Sequence, residues 1–107
     1  MLTNRDYTDT ETTLELKKLG FPVWYIYHDL ILNKAQTLLS HAQKWLREAK
    51  NIMIEVPISF MDNGVWKFSF RIQTPDFYDR AIGEWDSYED ALLAGIKEAI
   101  NILKGEK

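Results

Sequence analysis

The chain has 107 residues, 46% hydrophobic and 27% charged, with a formal net charge of −3. That composition fits one globular domain whose core needs no metal or disulfide. It contains no cysteine, which excludes a disulfide framework, a thiolate nucleophile and a Cys-based zinc site. The acidic balance excludes a chain that is basic all over, and no apolar run reaches membrane-spanning length.

Residues 1–107 read as a single α+β domain, with residues 1–10 a loose polar tail. The N-terminus, Met1-Leu2-Thr3-Asn4-Arg5-Asp6, lacks the apolar core of a signal peptide, so the expected location is the cytoplasm. Thr12 or Thr13 can cap a short helix to Leu19, with Gly20 as its left-handed stop, Phe21 as the accompanying apolar contact and Pro22 beyond. Val23-Trp24-Tyr25-Ile26-Tyr27 is β-branched and aromatic and reads as a strand. His28-Asp29 then reads as a turn, and Leu30-Ile31-Leu32 as its continuation or partner. Over Lys34 to Lys50, Ala35, Leu38, Leu39, Ala42, Trp45, Leu46 and Ala49 fall on one stripe about 120° wide, which predicts a core-facing helix.

From Asn51 to Gln73 the even positions are apolar: Ile52, Ile54, Val56, Ile58 and Phe60, then Trp66, Phe68, Phe70 and Ile72. This alternation predicts a hairpin of strands at about 51–61 and 65–73. Keeping every even residue on one face requires a three-residue loop, Asp62-Asn63-Gly64. The predicted pairs are Met61–Val65, Phe60–Trp66, Ile58–Phe68, Val56–Phe70 and Ile54–Ile72, with Glu55 facing Arg71 outside. Pro57 places its strand at an edge or a bulge. Arg80–Trp85 supplies a short third strand, and Ser87-Tyr88-Glu89-Asp90 has capping-box spacing before a last helix with Tyr88, Leu92, Ile96, Ala99 and Leu103 on one face. Gly95 lies within that stripe, where it costs ~1 kcal/mol against Ala, so close approach to the sheet is expected. The predicted fold is an antiparallel sheet packed by amphipathic helices, in the order α-β-α-β-β-β-α.

Trp45-Leu46-Arg47-Glu48 and Tyr88-Glu89-Asp90-Ala91-Leu92-Leu93-Ala94-Gly95-Ile96, with Leu16-Lys17-Lys18-Leu19-Gly20-Phe21, resemble motifs of a group of small proteins. That group is found in phage-like and mobile elements of anaerobic gut bacteria. The resemblance covers roughly residues 34–104 and departs from the group between Trp24 and Ala35, which is shorter here. It implies an accessory origin and no particular activity. The α-β-β-β-α succession also resembles double-stranded-RNA-binding domains, whose closing helix starts with lysines that grip phosphate. Here Glu84, Asp86, Glu89 and Asp90 stand at that start and would repel it.

Candidate chemistry is sparse. His28-Asp29 could pair a base with its orienting acid, but no nucleophile is in view, and His41 reads as a packing partner of Trp45. Asp86, Glu89 and Asp90 read as favourable charge at a helix N-terminus rather than a cation site. No metal-ligand spacing and no cofactor motif is present. Trp24, Tyr25 and Tyr27 on a strand, with Met53 and Met61 on the outer hairpin face, are the candidates for protein contact. Lys44, Arg47 and Lys50 on the second helix, with Lys67 and Arg71 on the hairpin, are the candidates for phosphate contact. The expected function is therefore a non-catalytic accessory or protein-interaction domain, with an unidentified protein or a second copy as partner. Nucleic-acid binding through the basic residues is the alternative.

Overall fold

The computed structural model of the chain describes residues 6–29, 34–76 and 78–105. It is α+β, with helices α1 (Thr10–Lys18), α2 (Leu39–Ala49) and α3 (Tyr88–Leu103) and strands β1 (Tyr27–Asp29), β2 (Lys34–Gln36), β3 (Met53–Glu55), β4 (Ile58–Asp62), β5 (Val65–Gln73) and β6 (Tyr78–Trp85). The expected segment Leu30–Leu32 lies outside the described residues.

Helix α1 starts earlier than the threonines suggested. Asp9 is its cap, accepting from the Thr12 N–H at 2.7 Å, so Thr12 and Thr13 fall inside the helix. Its end follows the sequence closely. Gly20 sits at φ 105°, the Gly20 N–H bonds to the Lys17 carbonyl and the Phe21 N–H to the Leu16 carbonyl, each at 3.0 Å. Those two bonds make the Schellman closure, with Phe21 and Leu16 both in the core.

The expectation of a loose tail to residue 10 fails over residues 6–9. Thr8 is fully buried, its N–H bonded to the Thr37 carbonyl at 2.8 Å. Its hydroxyl accepts from the Thr37 N–H at 3.2 Å and lies 2.5 Å from the Thr13 hydroxyl. The Thr13 hydroxyl also reaches the Asp9 carbonyl at 2.8 Å, and the Thr8 hydroxyl the Thr37 carbonyl at 3.3 Å. Tyr7 bridges to Leu38 beside this network. Polar residues read as a tail because hydrophobic periodicity is blind to a buried threonine network.

Asp9 also pairs with Lys97 of α3 at 3.0 Å. Partial burial alone would raise its pKa; the Thr12 hydrogen bonds and Lys97 outweigh that and hold it below the ordinary carboxylate value. A depressed folded pKa contributes stability above the unfolded value, lost as pH falls through the folded one. Asp9→Asn keeps a capping oxygen, so it should cost under about 1 kcal/mol at neutral pH for this part-exposed group, and almost nothing near pH ~2. Urea unfolding of both proteins at the two pH values measures the difference.

Val23–Tyr25 forms a turn of 3-10 helix after Pro22, and only Tyr27–Asp29 is strand. The predicted helix from Lys34 begins instead at Leu39, because Lys34–Gln36 pairs antiparallel with Tyr27–Asp29. Ala35 is buried there from a strand rather than a helix. The observed order is therefore α-β-β-α-β-β-β-β-α.

Strand β5 is central in the main sheet. It pairs with β3 and β4 on one side and β6 on the other, all antiparallel. β3 and β4 are one edge interrupted at Val56-Pro57, as proline requires. The pairs Ile54–Ile72, Glu55–Arg71 and Ile58–Phe68 match the predicted register. At the turn the register differs: Asp62 faces Val65, Met61 faces Trp66 and Phe60 faces Lys67. The loop is thus the two residues Asn63 and Gly64, at φ 50° and 79°, the left-handed pair of a tight hairpin. A bulge between Ile58 and Phe60 supplies the extra residue that restores parity. Phe60 consequently shares the face of Lys67 rather than that of Trp66.

Helix α3 covers the other end of β5. Ser87 caps it, accepting from the Asp90 N–H at 3.0 Å. Ile96, Ala99 and Ile100 join Ile54, Phe70 and Ile72 in the core, with Leu46 of α2 and Leu16 of α1. α2 packs against α3 and β3, and the Gln43 side-chain amide donates to the Ile54 carbonyl at 2.8 Å. β4 and β6 also approach one another across β5, and Ser69 of β5 is fully buried.

Candidate functional site

Trp24, Tyr25 and Tyr27 come together because Pro22 and the 3-10 turn lift them off the core. Trp24 is 78% exposed and Tyr27 67%. The rings form a ladder inward: Trp24 on Tyr25 at 6.2 Å, Tyr25 on His41 at 4.8 Å, Tyr25 on Phe21 at 6.0 Å, and Phe21 edge-on to Trp45 at 5.4 Å. His41 thus stacks on Tyr25, where the sequence had paired it with Trp45. Phe21 is buried, so the exposed rings stand on a fixed base. A groove of about 250 Å³ runs along one side, lined by Tyr7, Trp24, Tyr27, Leu38 and His41 among others. A second, of about 160 Å³, lies beyond Tyr25 and His41, lined also by Lys44, Trp45 and Glu48.

Met53 and Met61 are both exposed, but the bulge turns Met61 from the outer face expected for it to the face of Trp66, and the two are not part of one patch. Met53 faces Gln73 and Met61 faces Trp66; those partners are seven positions apart along β5, roughly 23 Å at ~3.3 Å per residue. Met61 belongs instead to an apolar hairpin end with Ile58, Phe60, Val65 and Trp66, all 40% exposed or more. A single buried face for the even residues would put Ile58, Phe60 and Trp66 in the interior; instead all three are exposed here. Their position was legible in lengths: the 16 residues of α3 span ~24 Å and the nine of β5 ~30 Å, so the helix cannot cover the strand to its tip.

The basic candidates divide between two faces. Lys44 and Arg47 are exposed on α2, and Lys50 lies over the Trp45 ring at 5.5 Å. Lys67 and Arg71 point to the sheet face away from α3, where Lys67 is bound to Asp86 and Arg71 to Glu55 at 3.6 Å. Each hairpin cation therefore has an acid beside it. His28 is exposed on the β1–β2 ribbon, with its Cα opposite Ala35.

A further groove, of about 230 Å³, marks the seam of α1 and α3. Lys104 bonds to Glu15 across it at 3.1 Å and holds that carboxyl below its ordinary pKa. Its charged groups thus join the two helices. Among the described residues no cluster of His, Cys, Asp or Glu is placed to hold a metal ion, and no helix is long and apolar enough to cross a membrane. Compared with protein-family models, curated proteins and solved structures, the chain matches none.

Proposed function

We propose that the chain is a non-catalytic protein-interaction domain that binds its partner on the aromatic segment Trp24, Tyr25 and Tyr27. The observation that supports this reading is the ring ladder, which holds solvent-facing aromatics on the buried Phe21 beside two grooves. Rigid aromatics deliver contact area at low entropic cost, and grooves lined by them take short extended, proline-containing segments. The motif resemblance adds the role of a cytoplasmic accessory factor in a mobile element, which the genes flanking it would test.

Screening the folded chain against an array of extended peptides tests the binding reading. Trp24→Ala should weaken the best ligand at least tenfold, about 1.4 kcal/mol, while leaving thermal unfolding unchanged. If Trp24→Ala and Tyr27→Ala leave every peptide signal intact, the aromatic segment is not the site. The alternative, nucleic-acid binding, draws on exposed Lys44 and Arg47. It requires mixed RNA or DNA to bind at low salt, with affinity that falls steeply as salt rises.

A further inference from the structure

The aromatic groove does not end at Tyr7. That residue also lines a second groove, of about 270 Å³, together with Asp9, Gln36, Glu89, Asp90 and Leu93. Two chain contacts hold the grooves side by side: Tyr7 bridges to Leu38 of the aromatic groove, and Tyr27 faces Gln36 across β1 and β2. Residues opposed in an antiparallel pair project from one face, with Cβ atoms ~5 Å apart. The aromatic groove is lined by no Asp, Glu, Lys or Arg, whereas the second is lined by three carboxylates. Lys97 matches Asp9 at 3.0 Å, but among the described residues no cation pairs with Glu89 or Asp90. Acids at a helix N-terminus are ordinary by themselves; these also line a groove that continues into exposed aromatics. The aromatic groove adds a polar group of its own. Thr37 lines it, is 1% exposed, and its hydroxyl has no hydrogen-bond partner. Buried hydroxyls normally find one, so this wall has bonding capacity for a peptide group.

We propose that the two grooves form one surface for an extended peptide carrying an arginine. Its apolar or proline residue sits among Trp24, Tyr25 and Tyr27, and its guanidinium sits between Tyr7 and the carboxylates of Glu89 and Asp90. The inference rests on the peptide-binding reading above and adds the charge of the partner. Each wall of the second groove matches a part of arginine. Leu93 offers apolar surface to the stem, Tyr7 a ring for a planar cation, and the carboxylates acceptors for a fork of N–H donors. Gln36 adds an acceptor, because its amide nitrogen donates to the Thr8 carbonyl at 3.3 Å and leaves the side-chain oxygen. Lysine, a compact and strongly hydrated charge, would use the carboxylates without the ring. Walls ~5 Å apart correspond to about two residues of an extended peptide at ~3.1 Å each, which places the arginine two or three positions from the proline.

Matched extended peptides test this, identical except for arginine, lysine or glutamine near the proline, with fluorescence anisotropy reading their affinity for the full chain. Arginine peptides should bind roughly tenfold tighter than their glutamine counterparts at about 50 mM salt, and the advantage should shrink at about 500 mM. Lysine peptides should fall between the two; equality with arginine would overturn the stacked guanidinium. Glu89→Gln combined with Asp90→Asn should bring arginine and glutamine peptides to equal affinity, with circular dichroism checking that α3 remains folded. Trp24→Ala should weaken both peptides alike, which separates the two readings. If Trp24→Ala weakens binding but the unaltered chain binds arginine and glutamine peptides equally, the charge inference falls and the aromatic segment stands. An arginine preference that survives the double substitution also overturns it, since the cation then sits elsewhere. If no peptide of the set binds, both readings fall.

Discussion

Gly95→Leu should destabilise the chain by about 3 kcal/mol, because the helix–sheet contact leaves no room for a side chain. A Cβ at Gly95 would lie 2.8 Å from Ile54 Cγ2 and 3.3 Å from Phe70 Cγ, all in the buried core. The cost is spatial rather than conformational, since Gly95 lies inside α3 and is absent from the positive-φ glycines. Gly95→Ala separates two opposing effects: alanine gains ~1 kcal/mol of helix propensity, while the contact with Ile54 forces a shift costing about as much or more. Moving the branch away from Cβ with Ile54→Leu removes the nearest methyl. If that methyl is the obstacle, Gly95→Ala should cost less in the Ile54→Leu background than alone, a coupling of at least about 0.5 kcal/mol. Urea unfolding with unchanged m-values measures it, and strict additivity would remove Ile54 as the cause.

That close approach was readable from a glycine in an apolar helical stripe, as were Ser87 as a cap and the Gly20 closure. Each is decided within a few residues, where spacing and side-chain chemistry determine the geometry. The failures came where distant parts of the chain decide. Val23–Tyr27 has strand composition, yet only its end pairs, because the partner is the three-residue segment Lys34–Gln36. Ala35 fitted a helical stripe equally well, since one buried alanine carries no period. The hairpin was legible in its pairs but not in its turn. Parity could be restored by a longer loop or by a bulge, and Asn63 tolerates the left-handed conformation that lets the tight loop win. The composition singles out Trp24, Tyr25 and Tyr27 as contact candidates and they are exposed, but the grooves beside them depend on His41 and Leu38, residues from another element. The hairpin end was missed because alternation says which side chains share a face, not how far a helix reaches along it.

Gly83→Val should cost about 3 kcal/mol, by displacing a tryptophan rather than by straining the backbone. The six-membered part of the Trp85 indole occupies the space that a side chain at Gly83 would need, so any Cβ there meets it directly. Trp85 in turn packs on Phe70, 5.4 Å between centroids, and Phe70 is buried under α3. β6 is irregular at this point: Trp85 faces Phe68 while Ala81 faces Phe70, leaving three residues of β6 opposite one of β5. That irregularity brings the indole back across Gly83 and onto the core. A side chain at residue 83 would drive the ring outward and uncover Phe70, so near-ultraviolet dichroism should weaken along with stability. Trp85→Ala is destabilising on its own, but it removes the obstacle. In its background Gly83→Val should cost under about 1 kcal/mol, a coupling well above the additivity expected of independent sites. A full cost for Gly83→Val without Trp85 would mean that β6 rejects a side chain there for some other reason.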